Sequence, residues 1–189
     1  LHVHTTLSSD AFMMNLPMLG GAGALSPADA CDFARHCAAL DFWSINDHAN
    51  GLYPEDWRNT VDAIRECNAR SGDAQNPDTV AFLGWEWTQA GLTPGEHYGH
   101  KNVVLAHTDD ERIPTRPIAA KEGGLLMQSA SPFVRGGLAL VDDRFSDLSR
   151  RIADYTDAPY CGTGHVRELD SNCREVATTP PELFRKLDE

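Results

Sequence analysis

Short apolar runs that carry imidazole or carboxylate side chains at their ends recur along the first hundred residues, and proline-opened helical segments separate them. The first run is Leu1-His2-Val3-His4. A strong helix start comes next at Ser26-Pro27-Ala28-Asp29, with Ser26 as N-cap, Pro27 at the first helical position and Asp29 in the first turn. The spacing predicts a helix to about Leu40, with Ala30, Phe33, Ala34 and Cys37 as its buried stripe. Phe42-Trp43-Ser44-Ile45 is a second strand, and it runs into Asn46-Asp47-His48. Pro54-Glu55-Asp56 opens another helix, with Trp57, Val61, Ile64 and Cys67 on one face and Gly72 as its cap. A third strand, Val80 to Trp85, delivers Glu86 at its end, and a fourth, His100 to Ala106, begins on a histidine. Strands alternating with helices in this way predict a parallel α/β fold, in barrel form rather than as an open sheet.

The opening residues carry the first chemical signal. In an extended strand successive side chains point to opposite faces, so His2 and His4 share one side while Leu1 and Val3 pack on the other. Asp10, just beyond, can fold a carboxylate oxygen back toward the same point. A histidine pair alone is a weak signal, and it gains weight from company. His48 stands after the second strand, behind an acid that can orient it or its loop. Glu86 ends the third strand, and His100 enters the fourth. In parallel α/β folds active sites gather at one mouth, where the strand-end loops converge. Imidazole and carboxylate ligands without thiolate suit Zn, Mn or Fe, and a set larger than four points to two or three divalent metals sharing a carboxylate. Such a site activates a water and clamps the oxygens of a phosphoryl group, so hydrolysis is the expected reaction.

Composition limits the alternatives. The 189 residues suit one domain, and Lys plus Arg at 16 against Asp plus Glu at 28 give a net charge of -12. That balance argues against nucleic-acid and anionic-membrane surfaces, both of which need a positive face. No apolar run reaches the ~20 residues of a membrane span. The chain opens inside a strand and closes in mid-helix, so it reads as the N-terminal portion of a longer protein. Its targeting therefore rests on the cysteines. Cys31, Cys37 and Cys67 fall at apolar helical positions and read as buried thiols. Cys161 and Cys173 bracket a loop and form a disulfide if the protein is exported; otherwise the compartment is cytoplasmic.

Other segments receive plainer readings. Residues 11–23, rich in Gly and Met but lacking a Gly-Lys-Ser/Thr ending, read as flexible cover near the site. Residues 109–137 read as loop, 145–155 as a helix, and Thr179-Pro180-Pro181-Glu182 as the start of the last helix. Trp85 and Trp87 read as core or cleft-wall packing, Ser8 and Ser9 as turn chemistry, and His36 as an exposed helix residue.

The pattern His2-x-His4-x5-Asp10, then Asn46-Asp47-His48 after a strand and Glu86 after another, resembles the PHP (polymerase and histidinol phosphatase) metallo-hydrolase superfamily. Leu1-His2-Val3-His4-Thr5, Ser26-Pro27-Ala28-Asp29-Ala30, Gly84-Trp85-Glu86-Trp87-Thr88 and His100-Lys101-Asn102-Val103-Val104 resemble its DUF3604 members, as does the tail from Ala177 to Phe184. The resemblance implies a partial (β/α)7-type barrel with a trinuclear site at its mouth. His2 and His4 would bind one metal, Glu86 would bridge it to a second that takes His100, and Asp10 with His48 would hold a third. Lys101 would face the anion of a small, phosphorylated substrate. Asn46 stands where the superfamily more often has Thr. A further histidine and a closing Asp-x-His pair, both implied by the family, have no clear match, with His107 and His165 as candidates for the histidine. His97 competes with His100 as a ligand, and His100 matches the family position. The expected activity is a metal-dependent phosphoesterase or related hydrolase. The alternatives are a PHP-like module without catalysis and a plain α/β domain without metal.

Overall fold

The computed structural model describes residues 1–8, 10–11, 25–73, 75–120, 137, 140, 146, 149–150, 153 and 158–189. The loop expected over residues 11–23 lies, Ala11 apart, outside the described residues, as does most of 121–157, including most of the helix expected at 145–155. Among the described residues the architecture is mixed α/β, with a four-stranded sheet at its centre.

Strands β1 (His2–Val3), β2 (Phe42–Ile45), β5 (Val80–Gln89) and β6 (Gly99–Leu105) lie side by side in that order. β1 pairs parallel with β2 and β2 parallel with β5, as the strand–helix alternation predicts. β6 departs from that pattern and runs antiparallel to β5, from Leu83 opposite Leu105 to Gln89 opposite Gly99. A short connection leaves the chain no room for a crossover, so it turns back as a hairpin. This explains why β5 extends to Gln89 and Glu86 falls within the strand rather than at its end: β6 supplies ladder partners beyond the last residue of β2. The described strands close no barrel. Short β3 (Gly72–Asp73) and β4 (Asn76–Pro77) form a hairpin, and β7 (Ile118–Ala120) pairs parallel with β8 (Glu175–Ala177) apart from the main sheet.

Helix α1 (Pro27–Asp32) starts as its sequence dictates. Asp29 N–H donates to Ser26 Oγ, and Asp29 Oδ2 accepts from Ser26 N–H, a reciprocal capping box. The expected stripe fails beyond this point, because Phe33–Cys37 forms a π-helical turn in which Ala38 N–H reaches Phe33 O. The wider turn changes the angular spacing of its side chains, so Cys31 and Ala34 are buried while Phe33 and Cys37 face solvent. Cys31 is bonded to Cys67 of helix α2 (Pro54–Arg70), and Cys161 to Cys173. Two of the three expected buried thiols are thus one disulfide between helices, and the third, Cys37, is an exposed free thiol. α1 and α2 lie adjacent, which no reading of separate helices reveals.

The sheet has two working faces. On one, Leu83, Trp85 and Trp87 are fully buried, and Trp57 of α2 meets Trp85 edge-to-face at 5.4 Å. Each indole N–H finds a carbonyl: Trp57 that of Pro114, Trp85 that of Ile118 and Trp87 that of Ala177. Both tryptophans of β5 are therefore core, bound to the β7–β8 pair. That pair is tied further by buried Glu175, which accepts from Arg116 and from Lys186 of helix α3 (Pro180–Leu187). α3 begins where expected, with Thr179 Oγ1 accepting from Glu182 N–H. The opposite face of β5 carries Glu86 and Thr88. Gly84 lies on this side at a tight crossing, where a Cβ would stand 2.3 Å from the Val103 carbonyl oxygen and 3.1 Å from that of Ile45.

Gly84→Ala must push two backbones apart and is expected to destabilise the fold by about 1–3 kcal/mol, read as a lower urea midpoint with unchanged slope. Thiol titration of the unreduced, unfolded chain should find one reactive group, that of Cys37. Cys31→Ser plus Cys67→Ser, which opens a loop of sequence separation 36, should cost about 4 kcal/mol.

Candidate metal centre

The sheet register decides which ligand-type side chains meet. His2 lies in β1 and His4 one residue past Val3. Thr5 donates from its backbone N–H to Asp47 Oδ1 at 2.5 Å and from its hydroxyl to Asp47 Oδ2 at 2.7 Å, which pins the chain after β1 to the loop after β2. Asp47 is the acid read as orienting the histidine or the loop, and it orients the loop. Glu86 N–H donates to Asp47 O, and His48 forms an isolated parallel bridge with Glu86. Across the hairpin Glu86 faces Asn102 and Thr88 faces His100.

All six expected ligands converge. His2 Nε2 and His4 Nε2 lie 3.3 and 3.2 Å from Glu86 Oε2 and 2.5 Å from each other. His4 Nδ1 is 3.4 Å from Asp10 Oδ1, and His48 Nε2 is 3.5 Å from Asp10 Oδ2. His48 Nδ1 is 3.4 Å from Glu86 Oε1, which is also in contact with His100 Nδ1. Three overlapping groups capable of holding an ion result: His2, His4 and Glu86; His4, Asp10 and His48; and His48, Glu86 and His100.

Local electrostatics reflect this crowding. Burial pushes the Glu86 carboxyl up, but the Thr88 hydroxyl and the nearby His48 and His100 outweigh it and hold the group below its usual range. The neighbouring His4 and His48 rings, helped by the Ser8 hydroxyl and the Ala11 N–H, hold Asp10 far below it. Burial and the neighbouring His4 lower His2. For His4 burial acts downward, yet the hydrogen bond and charge of Asp10, with the charges of Glu86 and Asp47, raise it.

Two hydroxyls sit inside the cluster, that of Ser8, which the sequence reads as turn chemistry, and that of Thr88, to which it gives no separate role. Ser8, fully buried, donates from Oγ to Asp10 Oδ1, accepts from His48 N–H and lies 2.8 Å from His4 Nδ1. Thr88 Oγ1 donates to Glu86 Oε1 and lies 2.9 and 3.0 Å from His48 Nδ1 and His100 Nδ1. Asn102 hydrogen-bonds His2. Period-two alternation from Glu86 and His100 places Thr88 and Asn102 on the ligand face, and that was the available signal.

Lys101 is not brought to the cluster. One residue from His100, it stands on the other face of β6, over the Trp87 ring at 5.6 Å, with Nζ donating to Tyr98 O. His97, His107 and His165 join none of the ligand groups, and His107 lies against Arg112.

The donor set fits divalent ions. Ligand atoms around a metal at ~2.0–2.1 Å in tetrahedral geometry stand about 3.3 Å apart, which the Glu86 contacts approach. Four imidazoles offer one lone pair each and two carboxylates two oxygens each. Those eight donors are enough for at most two four-ligand sets, or for more ions where a water takes a position or a carboxylate is shared. No protein-family model, curated protein or solved structure matches the chain.

Ion binding requires neutral imidazoles, and His4 holds its proton above the ordinary value of 6.5. Zn affinity, read by chelator competition, is expected to be greatest in mildly alkaline solution and to fall as the pH drops through the raised His4 value. In the ion-free protein the sign reverses. A raised folded-state value stabilises below the unfolded pKa, and that contribution disappears as pH rises through the folded one.

Proposed function

We propose that the chain carries a metal-dependent hydrolase site of the PHP type, acting on a small, anionic and phosphorylated substrate. The observation that supports this reading is the convergence of four imidazoles and two carboxylates from β1, β2, β5, β6 and their loops on one point. Zn, Mn or Fe are the ions its nitrogen and oxygen donors suit. On this reading the sheet is part of a (β/α)7-type barrel, and His4 and His48, just past the ends of parallel β1 and β2, lie at its C-terminal mouth.

The residues divide the work. His2, His4 and Glu86 Oε2 form one set, and His48 with Asp10 forms another. Buried Glu86 ties the two together and faces the cluster as an anion. When bound, divalent ions there supply a water acidic enough to attack at neutral pH and a positive field for phosphoryl oxygens. That local field is how a chain of net charge -12 accepts an anion. Side chains of His100 and Asp10, 66% and 54% exposed, leave the cluster open to a small molecule. Lys101, held by the Tyr98 carbonyl on the opposite face, is given no role at the cluster on this reading.

The two disulfides are compatible with export, and no helix among the described residues is long and apolar enough to cross a membrane. A phosphate ester offered to an exported enzyme would come from outside the cell.

The chain loaded with Zn or Mn is expected to hydrolyse p-nitrophenyl phosphate, and His2→Ala plus His4→Ala should lose both the ion and turnover while keeping the fold by circular dichroism. Stoichiometric metal without hydrolysis of any phosphate ester in a broad panel would favour a binding module instead.

A further inference from the structure

Resting on the metal-site reading above, we infer that Thr88 is a positioning residue whose hydroxyl sets which ring nitrogen of His48 and His100 is free to bind an ion. A hydroxyl has one hydrogen to donate and two lone pairs to accept with. Thr88 Oγ1 gives its hydrogen to Glu86 Oε1 at 2.7 Å, and a carboxylate can only accept. The Nδ1 atoms of His48 and His100, 2.9 and 3.0 Å from the same oxygen, must therefore donate to it. His100 Nδ1 also touches Glu86 Oε1, another acceptor. Ser8 does not repeat the arrangement: its hydrogen goes to Asp10 Oδ1 at 2.6 Å with His4 Nδ1 at 2.8 Å, but His4 Nε2 lies 3.2 Å from Glu86 Oε2, so acceptors face both nitrogens of that ring and the same rule selects neither.

The rings of His48 and His100 are thus held with the proton on Nδ1 and the lone pair on Nε2. For His48 that nitrogen faces Asp10 Oδ2 at 3.5 Å. The three overlapping groups are therefore not equivalent. The His2–His4–Glu86 Oε2 set and the His48–Asp10 pair stay open to ions. The space among His48 Nδ1, His100 Nδ1 and Glu86 Oε1 is filled by hydrogen bonds and closed to a cation. Donors and acceptors behind the ligands fix ligand tautomers in metal sites generally, and their loss costs roughly 10–100-fold in metal affinity.

The test is histidine-ring nitrogen NMR on the full chain at alkaline pH, first metal-free and then with one and two equivalents of Zn. The metal-free protein is expected to show Nδ1–H tautomers for His48 and His100, and Zn is expected to shift their Nε2 resonances or leave them, never to remove an Nδ1–H. Thr88→Val should mix the tautomers of His48 and His100 and weaken Zn binding about 10–100-fold, with Thr88→Ser restoring both. An Nε2–H tautomer at either ring in the wild-type protein, or loss of an Nδ1–H on Zn addition, overturns the inference whether or not the valine variant folds. Unchanged tautomers and affinity in a folded Thr88→Val protein overturn it as well. Failure of the wild type to bind Zn at all, with the Nδ1–H tautomers present, would sink the metal-site reading and leave the proton assignment standing.

Discussion

A carboxylate placed in a protein interior must be met by donors or it takes up a proton, and Glu86, 4% exposed, is met on every side. Thr88 donates to one oxygen, His100 crowds the same atom, and His2 and His4 close on the other. Burial pushes this acid's pKa up, yet Thr88, His48 and His100 outweigh it and hold the group below its usual range. The remaining polar geometry is arranged around that anion. His48 is drawn beside it by a bridge that continues the β2–β5 register, and Asp10 is reached through His48 and His4.

The anion is tolerated because of the layer behind it. β5 is buried on both faces, with three large apolar side chains turned one way and Gly84, Glu86 and Thr88 the other. The apolar side carries the packing: Trp85 and Trp87 join the sheet to α2, β7 and β8, and each gives its one polar hydrogen to a carbonyl. The polar side needs close approach of β2 and β6, which the missing Cβ of Gly84 permits. Asp47 adds a lock between loops by taking both Thr5 donors. A rigid apolar layer beneath a polar cluster is the arrangement that holds ligand atoms at fixed separations without an ion between them.

Much of this was legible in order along the chain. Alternation put His2 and His4 on one side, the Ser26 capping box and Thr179 cap started helices where they stand, and the apolar spacing of α2 marked its buried face. The same rule, carried one residue further, would have separated Lys101 from His100 and joined Thr88 and Asn102 to Glu86. Other features had no local signature. The Cys31–Cys67 bond depends on two helices meeting, and the π turn that exposes Cys37 breaks the periodicity from which its burial was read. The direction of β6 depends on how the chain returns from a glycine-rich loop.

The sequence by itself determined which residues could act as ligands and on which face of each strand they stand, because side-chain chemistry and the two-residue pleat are local properties. Only the tertiary structure decided which of those faces meet, at what separation, and which hydroxyls complete the cluster. Those outcomes are set by strand register, by backbone approach at Gly84 and by the competition of several donors for one buried carboxylate, and each of these joins residues far apart in the chain.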